Sequence, residues 1–123
     1  MVIDHIGLKV KNIEFSASFY DAVLKPLECT RCYDDPEVVG YGPADQAMFW
    51  LHCAESASSR THIAFTAPDR EAVAAFHMAG LANGGRDNGL PGLRPDYGPS
   101  YFAAFLFDPD GNNIEAVCNR ENV

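Results

Sequence analysis

Three residues of this chain have the types and spacing to hold a divalent metal ion: His5, His62 and Glu115. His5 opens the stretch Asp4-His5-Ile6-Gly7-Leu8-Lys9-Val10, and His62 holds the same place in Thr61-His62-Ile63-Ala64-Phe65-Thr66-Ala67. The offset of 57 (62 minus 5) runs on without a gap through Glu14 and Glu71, Ala17 and Ala74, Phe19 and Phe76, Ala22 and Ala79, and Leu24 and Leu81. Self-similarity on this scale means two copies of one supersecondary unit. Further on, Met48-Phe49-Trp50-Leu51-His52 aligns with Asn113-Ile114-Glu115-Ala116-Val117 at an offset of 65 (115 minus 50), so the second copy carries 8 more residues.

Successive side chains of a strand point to opposite faces. Phe49, Leu51 and Cys53, like Ile114, Ala116 and Cys118, suit a face covered by helices. Trp50 and Glu115 then share the other face with His5 and His62. Two copies packed about a pseudo-two-fold axis would bring these faces to one cavity, where two histidines and a glutamate meet. Two imidazoles and a carboxylate with open positions form the facial triad that suits Fe(II), Mn(II) and related ions. The open positions take water or substrate oxygens, which the ion acidifies or polarises. A lone strand histidine is more often an ordinary core or surface residue, and an inward glutamate wants a cationic partner. The equivalence of the two histidines in the repeat favours the site.

The elements that must position these residues follow from pattern. Residues 1–10 alternate as a half-buried strand. Asn12 is placed to cap a helix over 13–25, which carries Phe15, Phe19, Ala22 and Val23 at amphipathic spacing and is stopped by Pro26. Strands are expected at 28–34, 37–42 and 46–53, separated by turn compositions. Small polar residues at 55–60 read as a linker. The second copy repeats the order with a strand at 61–67, a helix over 70–82 begun by Pro68-Asp69 and closed by Asn83-Gly84-Gly85, and strands at 101–107 and 112–118. Residues 84–99 are so rich in Gly and Pro that the segment is expected to hold a short extended piece at most and otherwise to be a long loop. The expected fold is α+β: one domain over 1–123, with a βαβββ module at about 1–54, the linker at 55–60 and a second βαβββ module at about 61–123.

Composition narrows the function. The 123 residues suffice for one domain with its own core, and 47% hydrophobic with 21% charged residues is ordinary for a soluble protein. A formal net charge of −8 argues against general affinity for nucleic acid or anionic membrane. No leader-like stretch opens the chain and no apolar run nears the ~18 residues of a membrane span, so a cytoplasmic protein is expected. Cys29, Cys32, Cys53 and Cys118 are scattered. Cys29 and Cys32 lie three apart on an expected strand, on opposite faces, and are expected to be reduced and structural.

The paired βαβββ modules, the opening Asp-His-Ile-Gly-Leu-Lys-Val, the Phe19-Tyr20 helix and the closing Phe107-Asp108-Pro109-Asp110-Gly111-Asn112-Asn113-Ile114-Glu115 together resemble the vicinal oxygen chelate superfamily. That superfamily includes glyoxalase I, type I extradiol dioxygenases, fosfomycin resistance proteins and bleomycin-binding proteins. The resemblance covers nearly the whole chain, and the Asp-Pro-Asp-Gly turn before the glutamate strand is its most specific part. It implies two modules curled into a half-barrel around a divalent metal (Fe, Mn, Zn or Ni), with His5, His62 and Glu115 as ligands. Where glyoxalase I-like members carry a fourth ligand, this chain has Trp50, which argues against plain glyoxalase I activity. His52 lies on the same face as Trp50, ~6.6 Å further along the strand, and is expected to serve in the cavity without ligation, as a base or as lining.

The segment 88–97 also resembles one common to small bacterial glyoxalase/dioxygenase-like proteins. As a lid it would offer Arg86 and Arg94 as anion-binding forks, with Asn88 beside them and Tyr97 and Tyr101 as aromatic walls. As a plain connection, its Gly and Pro merely shape turns. Phe102, Phe105 and Phe107 are expected in the core. Two functions follow. The first is a metal-dependent enzyme on a small oxygen-bearing substrate. The second is a metal-free binding protein of the drug-sequestering kind, with Trp50, Tyr97 and Tyr101 around a cationic aromatic ligand. A homodimer is expected, by modules paired within one chain or exchanged between two.

Overall fold

The repeat seen in the sequence is a repeat of structure. The computed structural model describes residues 2–120. The first module runs β1 (Ile6–Val10), α1 (Ile13–Leu24), β2 (Thr30–Asp34), β3 (Val38–Gly42) and β4 (Phe49–Cys53). The second runs β5 (His62–Thr66), α2 (Arg70–Ala82), β6 (Arg86–Leu93), β7 (Tyr101–Phe107) and β8 (Asn113–Asn119). Each module forms one four-stranded sheet, ordered β1-β4-β3-β2 in the first and β5-β8-β7-β6 in the second. In both, the first strand pairs parallel with the last while the other pairs are antiparallel. The expected α+β fold of two βαβββ modules is the one observed.

Local chemistry starts the helices as expected. The Asn12 side chain accepts from the Phe15 N–H at 2.9 Å, and the Asp69 side chain accepts from the Ala72 N–H at 2.8 Å. Pro26 ends α1 without ending the coil. It sits at the start of a 3-10 turn over Lys25–Leu27, where a missing N–H costs nothing, and Glu28 in the left-handed region (φ 63°) closes that turn.

Both modules share one core. Phe19, Tyr20, Val23 and Leu24 of α1 are buried with Leu8, Val10 and Leu51 of the first sheet, and with Val73, Phe76, Leu106 and Ile114 of the second module. Phe49 and Phe65 meet edge to face across the seam, ring centres 5.2 Å apart. The linker is zipped to β1: the Ser58 N–H donates to Lys9 O at 2.8 Å and the Lys9 N–H to Ser58 Oγ at 2.9 Å.

One expectation is corrected. Much of 84–99 is strand, not loop, since β6 spans eight residues against β7. The pairing is irregular between Asp87 and Gly89 and between Gly89 and Gly92. Gly89, Pro91 and Gly92 fall at these bulges, and a bulge leaves residues without a ladder partner. Composition therefore marked an interrupted strand, not the absence of one.

Candidate functional site

Strand register places Trp50 and Glu115. Gly7 pairs with Trp50, Trp50 with Gly40 and Gly40 with Tyr33, so one rung crosses the whole first sheet. In the second sheet Ala64 pairs with Glu115, Glu115 with Phe105 and Phe105 with Gly89. Gly7 and Ala64 are equivalent in the repeat, so Trp50 and Glu115 occupy the same place on the two sheets. Both rungs lie opposite the core-facing residues Leu8, Leu51, Ile63 and Ile114.

Glu115 is the chemical centre of the second rung. It is only 2% exposed, deep for a carboxyl, and both of its oxygens are engaged. His62 Nε2 lies 2.7 Å from Oε1, and the Tyr101 hydroxyl donates to Oε2 in a short hydrogen bond. Burial, then the bond and the charge of Glu115, push the Tyr101 phenol up to about 12. Tyr97 packs edge to face on Tyr101 at 5.3 Å, and the His62 ring stands 6.3 Å from Phe105.

His5 stands apart from this pair. Its Nδ1 lies 2.7 Å from Asp4 Oδ1, and its ring is largely exposed. It borders a small apolar crevice with Ile6 and Phe49 of its own module and Ala64 and Phe65 of the other, which puts the head of β1 beside β5 at the module seam. It also borders the cavity on the first sheet with Trp50 and the exposed His52. Among the described residues no three His, Cys, Asp or Glu side chains stand close enough to hold one ion together.

The donor chemistry of His62 and Glu115 nonetheless fits a divalent ion. Their facing atoms are 2.7 Å apart, near the ~3 Å between neighbouring donors around an ion with ~2.1 Å bonds. Tyr101 is the outer partner that such a carboxylate ligand takes. His5 has its Nδ1 on a carboxylate, the arrangement that frees Nε2 for coordination.

The remaining candidates divide. Asn88 Nδ2 donates to Asn113 Oδ1 at 3.1 Å, across the end of the second sheet. Arg86 lies over the Phe107 ring at 5.1 Å. Arg94 donates to Leu90 O at 2.8 Å and Gly92 O at 3.0 Å and covers Phe105 at 5.3 Å, so its fork is occupied by its own strand. Sequence reasoning missed Tyr33, Asp4 and Phe105. Phe105 belongs to the rung of Glu115 and is half-buried, not core; period-2 alternation from Leu106 held the signal. All four cysteines are free thiols, and burial followed by its neighbour Cys32 pushes Cys29 up to about 11.

Among the described residues no helix is long and apolar enough to cross a membrane. A glyoxalase/bleomycin resistance protein from Albidiferax ferrireducens T118 superposes with a TM-score of 0.79 at 31% identity, covering 93% of this chain and 95% of that one. A glyoxalase/bleomycin resistance protein/dioxygenase family enzyme from Burkholderia phytofirmans PsJN gives 0.74 at 15% identity, over 98% of this chain and 100% of that one. Glyoxalase I from Zea mays gives 0.65 at 23% identity, with 94% of this chain covering 45% of that one. No curated protein matches the chain. Residues 2–116 match the Glyoxalase/Bleomycin resistance protein/Dioxygenase superfamily, and the chain belongs to that superfamily.

Proposed function

We propose that the protein is a metal-dependent enzyme of this superfamily acting on a small oxygen-bearing substrate. The observation that carries the reading is the His62–Glu115 pair, backed by Tyr101, on the face away from the core. His62 and Glu115 would hold the ion, with Nε2 of His5 as third donor once its ring is brought to the pair. The bound ion would supply Lewis acidity toward substrate oxygens and toward water. Tyr101 keeps the Glu115 carboxyl fixed in its buried seat. His52 moves a proton at the substrate from the first sheet, and Asn88, Arg86 and Tyr97 border the second-sheet side. Trp50 offers no donor where Glu115 does, which separates this chain from a four-ligand arrangement. We place the enzyme in the cytoplasm as a homodimer.

The test is elemental analysis of protein purified without chelator, alongside His62→Ala and Glu115→Gln. Near-stoichiometric iron, manganese, zinc or nickel, lost in both folded variants, supports the reading. No metal in any sample, and none taken up on reconstitution, sinks it. A second reading, a metal-free small-molecule binding protein, is favoured by the separation of His5 from the other two donors. Ligand binding by chelator-treated protein with undiminished affinity would select it.

A further inference from the structure

Large and small residues alternate along the first-sheet rung: Gly7, Trp50, Gly40, Tyr33. Trp50 thus has a glycine beside it on both neighbouring strands. A Cβ at Gly40 would come within 2.7 Å of Trp50 Cζ3 and 2.8 Å of Cε3, so the six-membered ring of the indole lies directly on the Gly40 backbone. On the other side a Cβ at Gly7 would meet the His52 ring at 3.3 Å. With no side chains in the way, the indole lies down on the sheet with one face against backbone.

Its outer face is half-open. Tyr33 stands beside it, ring centres 5.5 Å apart and planes at 59°, and is itself 47% exposed. Tyr33 is held upright by its hydroxyl, which donates to Asp35 at 2.8 Å. Floor and wall make a corner in a cavity of about 470 Å³ that His5, His52, Val38 and Asp4 also border. The second sheet has no such corner, because the equivalent rung reads Ala64, Glu115, Phe105, Gly89 and Arg94 covers its phenyl ring.

We propose that this corner binds a planar aromatic ring of a small molecule, the ring lying on the free face of Trp50 with its edge toward Tyr33. Offset stacking on one ring and edge contact with a second is the arrangement aromatic quadrupoles favour. The cavity lies within the ~300–1,000 Å³ of small-molecule sites. Polar substituents of the ligand find His52, His5 and Asp4 at the border. The inference gives the substrate class for the proposed function and rests on its premise that the substrate reaches His52 on the first sheet. It does not need the metal.

The test uses the chain's one tryptophan. Chelator-treated, ¹⁵N-labelled full-length protein is titrated with quinoline and, separately, with decahydroquinoline, which has the same skeleton without the flat ring. Quinoline is expected to shift the single indole N–H signal and the Gly7 and Gly40 amide signals saturably, while decahydroquinoline leaves them in place. Tyr33→Leu, at a half-exposed position, should weaken quinoline binding about threefold to tenfold. Gly40→Ala, which lifts the indole, should weaken it further. The absence of saturation, equal responses to the two compounds, or an unchanged Kd in Tyr33→Leu would overturn the proposal. So would shifts that follow protein concentration alone, which would give the corner to a second copy of the chain. Quinoline binding that survives in Glu115→Gln supports the corner whatever the fate of the metal reading.

Discussion

The Tyr20 hydroxyl, on the helix of the first module, donates a 2.6 Å hydrogen bond to Asp108 Oδ2, in the turn of the second. Both residues are buried, at 0% and 2% exposure. Asp108 also accepts from the Asp110 and Asn112 N–H groups and from the Asn112 side chain, which in turn donates to Ser58 O of the linker. The Asp-Pro-Asp-Gly-Asn stretch is therefore a clamp joining turn, linker and first-module helix. It fixes the strand that delivers Glu115.

Removing one partner of that bond leaves the other buried and short of a hydrogen bond, at a cost of about 1–3 kcal/mol. Tyr20→Phe is expected to lower unfolding free energy by about that amount in urea, with the slope unchanged. Asp108→Ala should cost more, because four donors lose their acceptor. A Tyr20→Phe variant as stable as the parent would mean the clamp contributes nothing net.

Tyr101 makes a prediction at high pH. Its phenol is pushed up to about 12 by burial first and by Glu115 second. A raised folded-state value favours the protonated phenol in the fold. Its stabilising contribution is thus complete below the ordinary tyrosine range near pH ~10 and is lost as pH rises toward about 12. The difference between the phenolate absorbance titrations of wild type and Tyr101→Phe isolates the Tyr101 curve. That curve should move to lower pH in the Glu115→Gln background. If it stays put, burial alone sets it.

The acid side is set elsewhere. His77 of α2 is 4% exposed and its Nε2 lies 2.8 Å from Asp87 Oδ1 on β6. Asp87 also accepts from the Gly89 N–H at 2.9 Å, and that bond first, then His77, holds its carboxyl below the usual range. A depressed carboxylate stabilises the fold above its unfolded value, near pH ~4, and the gain is lost as pH falls through the lower folded value. Asp87→Asn should therefore be less stable than the parent at pH 6 and should converge with it in acid, once pH has fallen below the ordinary carboxylate range of ~4 and through the lower folded value. Parallel stability curves through that range would refute the linkage.

Much of this was legible in the sequence because the repeat is ungapped where it matters. The offset of 57 aligned His5 with His62, and strand alternation alone put Trp50 and Glu115 on one face, as the registers Gly7↔Trp50 and Ala64↔Glu115 do. Alternation says which face a residue takes, not which neighbour it meets. The union of Glu115 with Tyr101, the rung from Trp50 to Tyr33 and the separation of His5 all depend on cross-strand pairing and side-chain rotamers, neither of which has a local signature. The Asp-Pro-Asp-Gly turn was visible as a turn, but its hold on Tyr20 spans 88 residues.

Arg94 illustrates the same limit and yields the last prediction. From sequence, an arginine in a Gly/Pro-rich stretch reads equally as an anion fork or as a turn residue. In the fold its backbone N–H donates to Tyr101 O at 2.8 Å, while its guanidinium bonds Leu90 O and Gly92 O and covers Phe105. A Cβ at Gly89 would fall 3.1 Å from Arg94 Nη2 and 2.9 Å from Phe105 Cδ1, so the guanidinium sits close over the bulge. Leu90 falls in the irregular stretch with no register partner on β7, whereas Gly92 is paired with Ala103, and a charged donor on a carbonyl brings a net gain of about 1.5–3 kcal/mol per hydrogen bond in favourable cases. Arg94→Ala should therefore speed amide exchange across residues 89–94 and across the facing part of β7. It should leave exchange in the first sheet and the binding of inorganic phosphate unchanged. Loss of phosphate binding with exchange unaltered would return Arg94 to the anion-binding role.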